Sequence, residues 1–471
     1  ISIVEGIEFY LNNPELAREV VITAPHKIAA LIEPALEPVP SKIHPPSLPD
    51  ADNKIREATW KRADELYGDK ILPEVKERIE RELKSIIGNN YAVLYLIAKV
   101  MVERSNQDGY IVGSRGSVGS SIVAFLCGIS EVNPLQAHYL CPECRHMEFI
   151  DTELAGVDMD PKKCPQCKVE MARDGFNIPF ETFMGFKGDK VPDIDLNFSG
   201  EYQEKIHNFL INMFGKEKVF KAGTINTLQQ NAIKKDFMNK YIEKTGSNLK
   251  NAEKMRLAMG CADVKRGTGQ HPGGLMLVPD DKEIFDFTPV QYAPDKESIT
   301  THFDYHFIHD TLVKIDALGH ELPTSLKHIC EALNLKVTDI PIDDKKTMQI
   351  FSSLKPLNVN PENYDSQIGT LGVPEFGTGF LRQMLNDTKP KTFSELVYIS
   401  GLSHGTSVWL GNAQELINKK TATLKEVIST RDDIMEYLIR KGLEKGLAFS
   451  IMESVRRGRG LTPEFEKAMK E

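Results

Sequence analysis

No stretch of the sequence approaches about 18 consecutive apolar residues, the length a helix needs to cross a bilayer. Nor is a secretory leader expected from Ile1-Ser-Ile-Val-Glu-Gly, which resembles no signal peptide: it has no basic start and meets an acid before any long apolar run. A membrane role is therefore not expected, and the expected compartment is the cytoplasm. There is no internal repeat of about 20–50 residues and no low-complexity tract. Cysteine is scarce and unevenly placed. Four of the seven form the pairs Cys141/Cys144 and Cys164/Cys167, while Cys127, Cys261 and Cys330 stand alone. That grouping argues against a disulfide framework and for metal binding.

Net positive charge is also lacking. The formal charge of −9 excludes a histone-like coating of nucleic acid, but attraction is local and screened within about 8–10 Å. Residues 201–270 carry 13 Lys and Arg against 7 Asp and Glu, whereas the first fifty carry 3 against 7. The charge is segregated along the chain. A length of 471 residues exceeds one compact core and predicts roughly three or four domains.

A proline-rich stretch from Pro38 to Pro49 reads as an extended connector. Residues 53–87 read as two solvated helices, the second ending near Gly88 with apolar residues four apart at Val75, Ile79 and Leu83. The apolar segment 91–102 favours a buried helix. Tyr110-Ile-Val then reads as a short strand, 113–121 as a glycine–serine loop, and Ser121-Ile-Val-Ala-Phe-Leu as a helix. Residues 203–262 read as mostly helical, Gly274–Val290 as strands returning to a sheet, and the last 150 residues as largely helical.

Asp193 and Asp195 stand one residue apart in Pro192-Asp-Ile-Asp-Leu-Asn-Phe. On a strand both carboxylates share one face while Ile194 and Leu196 enter the core. Two adjacent carboxylates repel unless a cation lies between them, and hard divalent ions such as Mg²⁺ take oxygen ligands. The same spacing also suits the exposed face of any half-buried strand. Gly113-Ser-Arg-Gly-Ser-Val-Gly-Ser-Ser could cradle a triphosphate on its backbone N–H groups or be a flexible turn. No Gly-Lys-Ser/Thr closes it, so it is not a P-loop. Lys314 and Asp316 in Lys-Ile-Asp share a strand face, as a salt bridge or as a third ligand beside a phosphate-neutralising lysine. Lys265-Arg-Gly-Thr-Gly-Gln-His-Pro-Gly-Gly reads as a loop able to approach a phosphate or base, or as a mobile turn. The Cys-x₂-Cys-x₁₉-Cys-x₂-Cys spacing of the two pairs is that of a closed, tetrahedral structural zinc site.

These segments, with Leu402-Ser-His-Gly-Thr-Ser-Val-Trp-Leu-Gly-Asn-Ala-Gln, resemble in order the C-family replicative DNA polymerases, in particular the PolC type of Gram-positive DNA polymerase III alpha subunits. The resemblance implies an α+β multidomain fold: a polymerase-β-like nucleotidyltransferase palm with a mixed sheet, a helical thumb and mostly helical partial fingers. It implies a PHP-like tail and linker over 1–49, palm over 50–221 with a zinc-binding insertion at about 139–172, thumb over 222–268, second palm part over 269–322 and fingers over 323–471. Asp193, Asp195 and Asp316 would bind two Mg²⁺. Gly113, Ser114, Arg115, Gly116 and Ser117 would hold the nucleotide phosphates, with Arg266, His271 and Lys314 near the incoming nucleotide. The four paired cysteines would hold Zn²⁺. The implied activity is template-directed transfer of dNMP from a dNTP to a primer 3′-hydroxyl. Its partners would be primer–template DNA, dNTPs and, for a full-length parent, replisome proteins. Ser407, Ala317 and Gly267 depart from the pattern, where an aspartate, a bulkier apolar residue and a threonine are expected. No exonuclease, OB or clamp-binding segment is visible, so the resemblance implies a truncated polymerase core. Two other readings remain open: a template-independent nucleotidyltransferase, and a zinc-stapled DNA-binding fragment without activity of its own.

Overall fold

The computed structural model describes residues 12–33, 42–152, 154–186, 191–293, 298–405 and 407–470. Part of the 1–49 tail and of the proline-rich connector lies outside them. From residue 42 the connector is extended: His44 N–H donates to Thr311 O at 2.9 Å, and the His44 ring meets Phe287 edge-on.

Helices Ala51–Tyr67 and Pro73–Gly88 lie where the pattern places them. Pro73 opens the second, where no N–H donor is needed, and Val75, Ile79, Leu83 and Ile86 bury one face. The following helix, Ala92–Gln107, buries every residue from Ala92 to Ala98 because protein surrounds it on most sides. Among the described residues no single helix is long and apolar enough to cross a membrane.

Ten strands form two sheets among these residues: β1 (Gly113–Arg115), β2 (His138–Leu140), β3 (Met147–Phe149), β4 (Ala172–Asp174), β5 (Asp195–Ser199), β6 (Val219–Thr227), β7 (Lys265–Leu277), β8 (Val290–Tyr292), β9 (Ile299–Asp304) and β10 (Val313–His320). The larger sheet has the order β1-β5-β10-β7-β6-β9-β8. It is mixed: β5/β10 and β6/β9 run parallel, and the other neighbours antiparallel. Leu196 and Phe198 of β5 and Val313, Ile315 and Ala317 of β10 enter a core shared with the helices at 51–107. The alternate residues face the other way, as period two requires. The small sheet, β3-β2-β4, has its own core around Cys141, Cys164 and Met171. Further cores form around Met384, Ile399 and Trp409, and around Met435 and Met452.

Two expectations need correction. The strand expected at Tyr110–Val112 begins instead at Gly113, so the glycine–serine segment enters the sheet. Tyr110 is held outside by stacking on Tyr202, ring centroids 4.9 Å apart, under the Lys327 ammonium. Residues 203–262 are mostly helical, as expected, with β6 interrupting them, its β-branched Val219, Thr224, Ile225 and Thr227 suiting a strand. The glycine-rich segment from Lys265 is a strand rather than a loop. Beyond Gly223 and Gln270, β6 and β7 continue as a two-stranded ribbon, with helical segments between Gln230 and Cys261 at its far end.

Candidate active site

The sheet register brings the acids together. Asp195 begins β5, and Asp316 lies directly opposite it on the parallel neighbour β10. Asp193 precedes the strand and remains exposed, while Ile194 between them is buried. One oxygen from each of Asp193, Asp195 and Asp316 falls within 4.8 Å of the others. Burial, followed by the charges of Asp193 and Asp316, pushes the Asp195 carboxyl up to about 7. Asp316 is 5 % exposed, and its Oδ1 is buried without a hydrogen-bond partner. An unsatisfied carboxylate oxygen among two further carboxylates fits a hard divalent cation. On the other side Lys314 Nζ lies 2.8 Å from Asp316 Oδ2. Burial opposes the Lys314 charge, but the bond to Asp316 and the nearby Asp193 outweigh it and raise its pKa.

The glycine–serine segment sits against this cluster. β1 pairs antiparallel with β5, and Arg115 stands opposite Asp195. Gly116 has φ of +74°, and a Cβ built on it would lie 3.9 Å from Asp195 Oδ2. The chain then turns through a 3₁₀ segment, Gly116–Ser120. Ser114 is already engaged: its N–H and Oγ donate to Glu131 Oε2 at 3.3 and 2.9 Å. Arg115 is exposed beside the acids, and Ser117 is half-buried.

His271 reaches the same cluster from β7. Its Nδ1 is 3.6 Å from Asp316 Oδ1 and accepts the Gly273 N–H at 3.3 Å. Burial holds its pKa below the ordinary value against the pull of Asp316, so the ring is neutral at pH 7. The glycines of this stretch serve packing. A Cβ on Gly273 would meet Ala317 O at 2.6 Å, and one on Gly274 would meet His271 Nδ1 at 2.7 Å. Arg266 is elsewhere: five residues back along an extended strand is about 16 Å, and its guanidinium lies over Phe237.

Three residues at the site went unread in the sequence. Tyr305 packs between His271, 5.2 Å away, and the Lys314 ammonium, 4.2 Å from its ring centroid. Gln203 Nε2 donates to Pro272 O and Ala317 O, joining the backbones just past His271 and Asp316. Glu131 holds Ser114. None belongs to a local motif; each acts through a contact made only in the folded chain.

The four cysteines also converge, each offering a sulfur within 4.8 Å of the others. The two halves repeat one geometry. Cys144 N–H points at Cys141 Sγ and Cys167 N–H at Cys164 Sγ, both at 3.5 Å, and the following Arg145 and Lys168 are left-handed. Burial opposes ionisation of the Cys141 thiol, but the N–H groups of Cys144 and Glu143 outweigh it and bring it down to about 7. Cys127, Cys261 and Cys330 lie apart from this cluster. The cysteine-bearing region also touches the C-terminal half. Asp158 accepts from Phe393 N–H, Ser394 N–H and Ser394 Oγ at 2.6–2.7 Å, capping helix Phe393–Ser403, and Arg173 pairs with Asp343.

The profile of the bacterial DNA polymerase III alpha NTPase domain matches residues 53–249 and 230–319, and that of the alpha subunit finger domain matches residues 322–471. A DNA polymerase III PolC-type from Thermotoga maritima is 55 % identical over 99 % of this chain. Namesakes from Caldanaerobacter subterraneus and Bacillus subtilis are 53 % and 52 % identical over 98 % of it. The chain spans about a third of the length of these curated relatives (34 %, 33 % and 32 %). With its acids, glycine–serine segment and four cysteines each gathered in space, the chain belongs to the PolC-type DNA polymerase III family.

Proposed function

We propose that this chain performs template-directed DNA synthesis, transferring dNMP from a dNTP to a primer 3′-hydroxyl. The observation that carries this reading is the convergence of Asp193, Asp195 and Asp316 with Gly116 against Asp195 Oδ2. Mg²⁺ ions bound at the triad would supply Lewis acidity for the attacking hydroxyl and for the pyrophosphate leaving group. Asp193 and Asp195 approach from one strand end and Asp316 from the next, so carboxylates from two sides would hold those ions. Residues 115–118 offer the triphosphate backbone N–H groups and the Arg115 charge. Lys314, held by Asp316 and Tyr305, adds a positive charge beside them. His271 remains neutral, with its proton on Nε2, and serves as a hydrogen-bond donor to the nucleotide.

In this reading residues 50–221 and 269–322 are the palm, and the ribbon and helices of 222–268 the thumb. Residues 323–471 are fingers, and the tail before residue 50 belongs to a PHP-like unit. The exposed Lys265 and Arg266 on the ribbon would meet the primer–template backbone. Cys141, Cys144, Cys164 and Cys167 would bind one structural Zn²⁺. In a protein of the relatives' full length the partners would include replisome proteins in the cytoplasm. Single-turnover primer extension with and without template tests the proposal. Template-dependent incorporation lost in Asp193→Asn, with duplex affinity retained, supports it; extension retained by that variant contradicts it.

A further inference from the structure

Beneath the glycine–serine segment lies a charged pair that the proposed reaction does not use. Glu82 is fully buried in helix Pro73–Gly88, and Arg78 Nε, one turn earlier, lies 2.5 Å from its Oε1. Each partner also bonds the segment. Arg78 Nη2 donates to Ser120 O at 2.8 Å and to Ile178 O at 3.1 Å. Glu82 Oε2 accepts from Ser121 Oγ at 2.8 Å and from Val123 N–H at 3.2 Å. Tyr95 OH donates to Ser121 Oγ at 3.1 Å, closing the network.

Burying two charges costs desolvation that their attraction rarely exceeds, and apolar residues of similar volume often stabilise a fold equally well. What the pair adds is therefore geometry. It fixes the exit of the segment at Ser120 and Ser121, as Glu131 fixes its entry at Ser114. Only Arg115 to Gly119 span the gap between these anchors, beside Asp195. Ile178 lies on the return from the four-cysteine insertion, so the same guanidinium ties that insertion to the segment.

We propose that Arg78 and Glu82 are positioning residues for triphosphate binding, holding the Gly113–Ser121 segment in the curvature that sets residues 115–118 beside the acidic triad. This rests on the reading of that segment as the triphosphate cradle.

The test compares the full chain with Glu82→Gln and with the double variant Arg78→Met, Glu82→Leu, whose apolar pair keeps the core filled. Three quantities are measured: Kd for dATP with Mg²⁺ on primer–template, Kd for Mn²⁺ alone, and the melting temperature. A misplacement near 1 Å can cost up to about 100-fold at such a site. The expected result is dATP binding weakened by roughly tenfold or more in both variants, with Mn²⁺ affinity within about twofold and the double variant melting as the unmodified chain. A folded double variant that binds dATP normally overturns the proposal, as does a parallel loss of Mn²⁺ binding, which marks a merely structural role. An unmodified chain without saturable dATP binding contradicts the polymerase reading itself, and this inference with it.

Discussion

The four-cysteine cluster and the acidic triad each gather side chains suited to a cation, but from different distances along the chain. Each cysteine pair comes from one tight turn, repeated at Cys141–Arg145 and Cys164–Lys168, so half of the ligand set is local. The triad comes from two strands far apart in sequence, and only the parallel register of β5 and β10 sets Asp195 opposite Asp316. The cysteines form a closed set of four with no position left for substrate. The acids leave Asp193 exposed and border the glycine–serine segment, so the cluster stays open on one side. One arrangement suits a staple and the other a reaction centre.

The sharpest way to break this comparison is to neutralise one acid. Asp195→Asn should lower single-turnover dNMP incorporation by roughly 10³-fold or more while leaving duplex affinity within about twofold. An equal loss of DNA binding would assign the acid to folding instead. At the other centre, Cys164→Ser should abolish bound zinc, measured by atomic emission, and expose residues 138–174 to hydrogen exchange, since metal binding and local folding are one equilibrium. Mn²⁺ binding at the acids should change by no more than about twofold. Loss of both metals together would show that the two centres are not independent.

The pH response should also separate them. Asp195 titrates near 7 in the fold, above its ordinary value of 3.8. The folded state therefore holds that proton more tightly than the unfolded chain. The stability it contributes is full below the ordinary carboxylate range and is lost as the pH rises toward 7. A divalent cation takes over the proton's place, so Mg²⁺ should raise the melting temperature more at pH 8 than at pH 6. Asp195→Asn should flatten that difference, as scanning calorimetry would record. The smallest effect is assigned to Asp158, which caps helix Phe393–Ser403 from the cysteine-bearing region. Asp158→Ala should cost about 1–2 kcal/mol of stability, read as faster hydrogen exchange at 393–396. Unchanged exchange there would remove Asp158's hold on that helix.

How much could be read in advance follows from the same contrast. The cysteine spacing, the helices at 51–107 and the alternation around Asp195 and Lys314 are local patterns, and each appears in the fold with its expected partners. Tyr305, Gln203 and Glu131 carry no pattern of their own. Their places depend on how β7, β10 and the turn after Leu126 pack. The stretch from Lys265 was misread for a physical reason: its glycines resemble a loop, but Gly273 and Gly274 are there because β10 and the His271 ring come too close for a side chain. That strand also carries Arg266 away from the acidic triad and onto the ribbon. Ala317 is fully buried in β10, and its carbonyl accepts from Gln203.

Anomalous diffraction from crystals grown with Mn²⁺, primer–template and a non-reactive dNTP analogue tests the central claim most directly. The account predicts Mn²⁺ directly coordinated by carboxylate oxygens of Asp193, Asp195 and Asp316, with the triphosphate against residues 115–118. Mn²⁺ bound elsewhere, or a triphosphate seated away from this segment, would contradict it.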